Sequence, residues 1–130
     1  MTRQVFVYGT LKRGFSRFSL PALTRLRRRV EAAEVAGSLY DLGAYPGLRL
    51  EGRGAVYGEI HLLADIEQAL RTLDALEGFR GEGHPENLFT RRLVTARDRR
   101  GRRRRCWVYV YEGPVWEARR IPSGVWTKPS

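Results

Sequence analysis

Two places in the chain combine residue types that can do chemistry. The first is Tyr8-Gly9-Thr10-Leu11, which closes the β-branched and aromatic run beginning at Gln4, a composition that suits a half-buried strand. A glycine there opens backbone angles closed to other residues and lets a ligand approach the main chain. Successive N–H groups can then face a negative or developing-negative oxygen. The second is Glu77, three residues after Asp74, in the last turn of a helix expected to stop at Gly78. The helix dipole is negative at that end, which disfavours an anion and raises its pKa toward the range a general acid/base needs. Each place also has a plainer reading: Gly9 as strand punctuation, and Glu77 as a solvated helix end. Glu59 and Asp74 are the rival carboxylates. His61 alternates with Glu59 and Leu63 on a strand, and Cys106 has no histidine near it in sequence, so both read as structural.

The elements that must position these residues follow from periodicity. After Phe18, the residues Leu20, Leu23, Leu26 and Val30 recur at three- and four-residue spacing, with Pro21 suited to a first helical turn, and predict a short amphipathic helix within 16–29. Residues 31–40 alternate as a strand. Residues 41–47, rich in Gly, Pro and Asp, form a loop, and 48–50 make a short edge strand. Ala55 to Leu63 is the next strand. Asp65 then caps a helix running to Leu76, whose Ile66, Leu70, Leu73 and Leu76 share one face. Residues 79–86 read as a flexible loop. Phe89 to Ala96 and Arg104 to Tyr111 are paired strands, and the tail from 113 to 130 is irregular, with its tryptophans packed over the body. Together these predict one α+β domain over 1–130, with about five or six strands whose sheet curls into a small barrel flanked by helices.

Composition narrows the class. No apolar run reaches the ~18 to 20 residues of a membrane span, and the N-terminal residues lack the order of a signal peptide, so a cytoplasmic protein without membrane contact is expected. One cysteine and two histidines point away from an internal disulfide and a metal centre, and no cofactor is expected. The formal charge is +10, from 24 basic and 14 acidic residues, and every basic residue but Lys12 and Lys128 is arginine. The densest run, Arg97 to Arg105, surrounds Gly101 between two strands and reads as a solvated hairpin tip. No aromatic residues interleave with those arginines to stack bases, so nucleic acid is the less favoured partner.

Taken in order, Phe6-Val7-Tyr8-Gly9-Thr10-Leu11-Lys12-Arg13-Gly14, Gly37 to Gly47 with its Tyr45-Pro46-Gly47, Val56-Tyr57-Gly58-Glu59-Ile60, Leu73-Asp74-x-Leu76-Glu77-Gly78-Phe79 and Trp107-Val108-Tyr109-Val110-Tyr111 resemble the γ-glutamylcyclotransferase-like superfamily, in particular its short, bacterial-type AIG2-like members. The resemblance runs from residue 5 to about 112. It implies a mixed-sheet barrel with a cavity at its mouth. It further implies that Tyr8, Gly9, Thr10 and Leu11 cradle substrate, that Glu77 is the catalytic acid/base, and that Tyr109 is a pocket tyrosine. Phe89 and Arg91 stand where the family usually has Tyr-x-Arg, so a hydroxyl there is missing. The implied partner is a small γ-glutamyl compound, cyclised to 5-oxoproline with release of an amine. The second reading is a non-catalytic ligand-binding protein of the same fold, and the third is polyanion association through Arg97 to Arg105.

Overall fold

The structure, a computed structural model, describes residues 1–128. Pro129 and Ser130, the end of the expected tail, lie outside the described residues. β1 (Gln4–Val7), β5 (Ala55–Leu63), β2 (Arg27–Ala36), β6 (Phe89–Asp98) and β7 (Arg103–Tyr111) close into a barrel in that order. The ring is sealed by β1 lying parallel to β7, while every other neighbour is antiparallel. A second sheet is made of β4 (Pro46–Arg49), β3 (Ser38–Asp41) and β8 (Arg119–Arg120). The expected α+β class and the curled mixed sheet are both present.

β1 shows why the first strand is apolar throughout. Phe6 and Tyr8 point into the barrel among Val35, Val56, Ile60 and Val108. The alternate residues Val5 and Val7 point outward against the helix α2 (Ile66–Glu77), meeting Leu70 and Leu73. A strand covered on both faces loses the polar alternation of a half-exposed one. Each buried leucine of the helix contributes about 1.5–3 kcal/mol. The boundaries of α2 are those its residues dictate. Asp65 accepts from the Gln68 N–H at 3.1 Å, Gly78 takes the left-handed angles at φ 67°, and Phe79 N–H returns to the Asp74 carbonyl at 2.9 Å. Glu77 is therefore the last helical residue.

Three expectations are corrected. The helix predicted within 16–29 shrinks to α1 (Pro21–Thr24). Residues from Arg27 onward are instead claimed by β5, which needs a partner along its edge, and a four-residue helix has no cooperativity with which to compete. Leu23 and Leu26 are buried all the same, so the spacing marked core residues correctly and misassigned their backbone. The strand predicted over 31–40 is two strands split at Gly37, where a Cβ would stand 2.6 Å from the Arg49 carbonyl oxygen. The tail adds β8 against β3 and buries Trp126, but Trp116 lies in solvent instead of packing over the body.

The arginine-rich tip is a hairpin, as expected, and it carries its own counter-charge. Asp98 accepts the backbone N–H groups of Arg100 and Arg102 and the side chains of Arg102 and Arg104. Burial works against its charge, but these bonds outweigh it and hold the carboxyl down to about 2.

Candidate active site

A cavity of about 250 Å³ opens where β1 leaves the barrel. It is just below the usual range for drug-sized ligands, which suits a small molecule and not a peptide. Tyr8, Gly9, Thr10, Leu11, Tyr109 and Glu77 all line it. The turn after the first strand and the residue ending the second helix, distant in sequence, thus face one space. Glu59 and Asp74, the rival carboxylates, do not line it.

The loop is held from several sides. Lys12 N–H bonds the Gly9 carbonyl at 3.0 Å and Arg17 N–H the Thr10 carbonyl at 2.9 Å. Beyond the turn, Arg13 N–H donates to Glu59 Oε1 at 3.0 Å, and the buried Lys12 ammonium donates to the Trp126 carbonyl at 2.9 Å. The tail of the chain therefore fastens the loop. Glu59 is itself fixed by His61: Arg27 Nε donates to His61 Nδ1 at 3.2 Å, so Nε2 carries the hydrogen directed at Glu59 Oε1, 2.9 Å away. Burial holds His61 below its usual pKa, consistent with this neutral, structural role. With the carbonyls and flanks engaged in this way, the N–H groups of Thr10 and Leu11 have no acceptor among the described residues.

Gly9 is a glycine for a reason the sequence did not show. Its φ is not positive. Instead the Pro46 ring sits against it, and a Cβ would lie 2.8 Å from both Cγ and Cδ of that ring. The segment read as a plain turn-rich loop thus supplies a wall of the cavity through Tyr45 and Pro46. Phe89, at the position where a hydroxyl was expected to be missing, closes the cavity with apolar surface.

Glu77 is half-buried and its carboxylate has no hydrogen-bond or ion-pair partner among the described residues. Burial pushes its pKa up to about 7, against the opposing pull of Arg17. The elevation expected from the helix end is present, but desolvation is its cause. The Glu77 charge reaches Tyr8, whose hydroxyl is raised above its usual value by burial first and by Glu77 second. That hydroxyl donates to the Tyr109 carbonyl at 2.6 Å and accepts from Leu48 N–H at 3.2 Å. Tyr8 therefore meets a ligand with ring and backbone, since its proton is committed.

Tyr109 is similarly occupied. Its hydroxyl donates to Asp74 Oδ1 at 2.6 Å, while Arg91 Nη1 binds both oxygens of Asp74 at 3.0 and 2.9 Å and lies over the Trp107 ring. This triad ties α2 to β6 and β7, one helical turn before Glu77. Asp74→Ala would strand a buried hydroxyl and a guanidinium. It should destabilise the fold by about 2–3 kcal/mol in urea titration. Arg17 was not singled out from sequence, where it reads as the polar side of a helix. The structure places it on the cavity wall.

The family model described as gamma-glutamyl cyclotransferase, AIG2-like, matches residues 5–128. The chain belongs to that family. The match extends through the tail, beyond the blocks recognised in the sequence. A Vibrio cholerae relative of this γ-glutamylcyclotransferase-like enzyme is 36% identical over 126 residues, covering 97% of this chain and 96% of its own. A Niallia circulans protein named gamma-L-glutamyl-butirosin B gamma-glutamyl cyclotransferase is 38% identical over 109 residues, covering 82% of this chain and 65% of that protein. The solution structure of ytfP from Escherichia coli superposes with a TM-score of 0.67 at 31% identity, over 95% of each chain. An AIG2-like protein from Mus musculus shares the fold, with a TM-score of 0.67 at 24% identity, over 88% of this chain and 82% of that one.

Proposed function

We propose that this enzyme cyclises a small γ-glutamyl amide, releasing 5-oxoproline and a free amine, with Glu77 as general acid/base and the Tyr8 to Leu11 loop as cradle for the carbonyl oxygen. The observation that carries this reading is the pairing, in one cavity, of an uncommitted carboxyl group poised near neutrality with a loop whose N–H groups lack acceptors.

The substrate brings its own nucleophile. The α-amine attacks the δ-carbonyl, forming a C–N bond in a five-membered ring as the bond to the departing nitrogen breaks. Such intramolecular geometry already supplies a large effective molarity. Two barriers remain for the protein. The α-ammonium must lose a proton before attack and the ring nitrogen a second one after it. Both end on the departing nitrogen, which leaves as an ammonium, and Glu77 with a pKa of about 7 can accept and return each of them. The carbonyl oxygen becomes negative in the tetrahedral intermediate, and the amides of Thr10 and Leu11 are the donors at hand, each such donor being worth about 3–4 kcal/mol.

The test is direct. Purified protein incubated with a panel of γ-glutamyl amino acids and γ-glutamyl amides should release 5-oxoproline and amine in equal amounts. A panel that yields no 5-oxoproline under conditions where the fold is intact would overturn the reading.

A further inference from the structure

The cavity is lined by two charged side chains of opposite sign, Glu77 and Arg17, and otherwise by uncharged, mostly apolar residues. Arg17 reaches this position because its backbone N–H is fastened to the Thr10 carbonyl, which turns the segment after the loop back onto the cavity. Its guanidinium has no carboxylate or carbonyl partner among the described residues, whereas Arg27, Arg91, Arg92, Arg102 and Arg104 each hold one or more acceptors. It is close enough to Glu77 for its charge to act on that carboxyl group. An unpaired guanidinium at the edge of an apolar cavity is a carboxylate site in its chemistry, since its planar fork matches two carboxylate oxygens.

Building on the γ-glutamyl cyclisation proposed above, we infer that Arg17 binds the α-carboxylate of the substrate's glutamyl group and so fixes the adjacent α-amine at Glu77. The two side chains match the two charges of an α-amino acid head group, which sit on substituents of one carbon. A γ-linked glutamyl group offers that head group intact, whereas an α-linked glutamyl has its α-carboxylate consumed in the peptide bond. Arg17 therefore selects for the γ linkage as well as for binding. The product 5-oxoproline keeps the same carboxylate, so its affinity depends on Arg17 too.

The experiment compares wild type, Arg17→Gln and Arg17→Lys. On a γ-glutamyl alkylamide, whose leaving amine carries no carboxylate, Arg17→Gln should lose roughly 10- to 100-fold in kcat/KM, mainly as a rise in KM, with partial recovery in Arg17→Lys. On the 4-aminobutyryl alkylamide, which keeps amine and carbonyl but lacks the α-carboxylate, wild type and Arg17→Gln should agree within about twofold when each is compared on its own pH plateau above the Glu77 titration, which separates carboxylate binding from the pull of Arg17 on Glu77. Calorimetric titration with 5-oxoproline, which needs no turnover, should show a matching loss of affinity in Arg17→Gln. Equal losses on both amides, an undiminished affinity for 5-oxoproline, or a loss confined to substrates whose leaving amine carries a carboxylate would each overturn the assignment. Failure of the wild type to release 5-oxoproline is a separate outcome: it sinks the proposed reaction and leaves the titration to decide whether Arg17 holds a carboxylate.

Discussion

Glu77→Gln is expected to keep the barrel folded and to lower turnover of a γ-glutamyl substrate by roughly 10²- to 10⁴-fold, the range assigned to a positioned general acid/base. In the wild type, kcat/KM should rise through pH about 7 as the carboxyl group loses its proton. In the variant, that inflection should vanish with the activity. The same substitution makes an independent statement about stability. Folding raises the Glu77 pKa from 4.5 to about 7, so the native state prefers the neutral form. The contribution is favourable below pH 4.5 and is progressively lost as pH rises through 7. Glutamine is always neutral. After allowance for solvent in the cavity, the variant should be more stable than wild type by about 2 kcal/mol at pH 8, with the difference fading toward pH 4. A variant that retains full turnover removes Glu77 from the mechanism, and one with no gain in stability at pH 8 shows that the carboxylate is well solvated.

The second large effect falls on the loop. Gly9→Ala would place a Cβ 2.8 Å from the Pro46 ring, a contact that requires loop or ring to move. With the Thr10 and Leu11 amides in their proposed role at the carbonyl oxygen, displacing them should cost about 10²- to 10³-fold in kcat. Pro46 is buried in β4 and paired with Asp41, so the clash should also destabilise the fold by about 1–3 kcal/mol in urea titration. The cause can be isolated by a double substitution. Gly9→Ala combined with Pro46→Ala should regain much of the lost rate, since the obstructing ring is gone. If the pair is no better than Gly9→Ala alone, the close approach of Pro46 is not why residue 9 must lack a side chain.

Much of this fold was legible in the chain. Helix α2 carries start and stop signals that are local and chemically explicit, the Asp65 carboxylate at one end and the left-handed backbone of Gly78 at the other, and both operate as those residue types require. The limits of β5 and the pairing of β6 with β7 around Gly101 likewise follow from alternation and a turn residue. The segment 16–29 was not legible in the same way. Its apolar spacing satisfies a helix, yet β5 must find an edge partner, and that demand comes from the barrel and not from residues 16–29 themselves. Gly37 was equally opaque, because the carbonyl that excludes its side chain belongs to Arg49.

The candidate residues divide along the same line. Their types were readable: a glycine after a strand, an acid before a helix stop, a tyrosine on the last barrel strand. Local sequence determined the strand, the turn and the helix end that carry them, since propensity, capping and periodicity act between neighbours in the chain. Tertiary structure alone decided that Gly9 and Glu77 border one cavity, that Pro46 and Arg17 join them there, and that the hydroxyls of Tyr8 and Tyr109 are already bonded within the protein. It also set the proton affinity of Glu77. That quantity depends on how much water and which charges surround a carboxylate, and both are contributed by residues remote in sequence and brought together when the barrel closes.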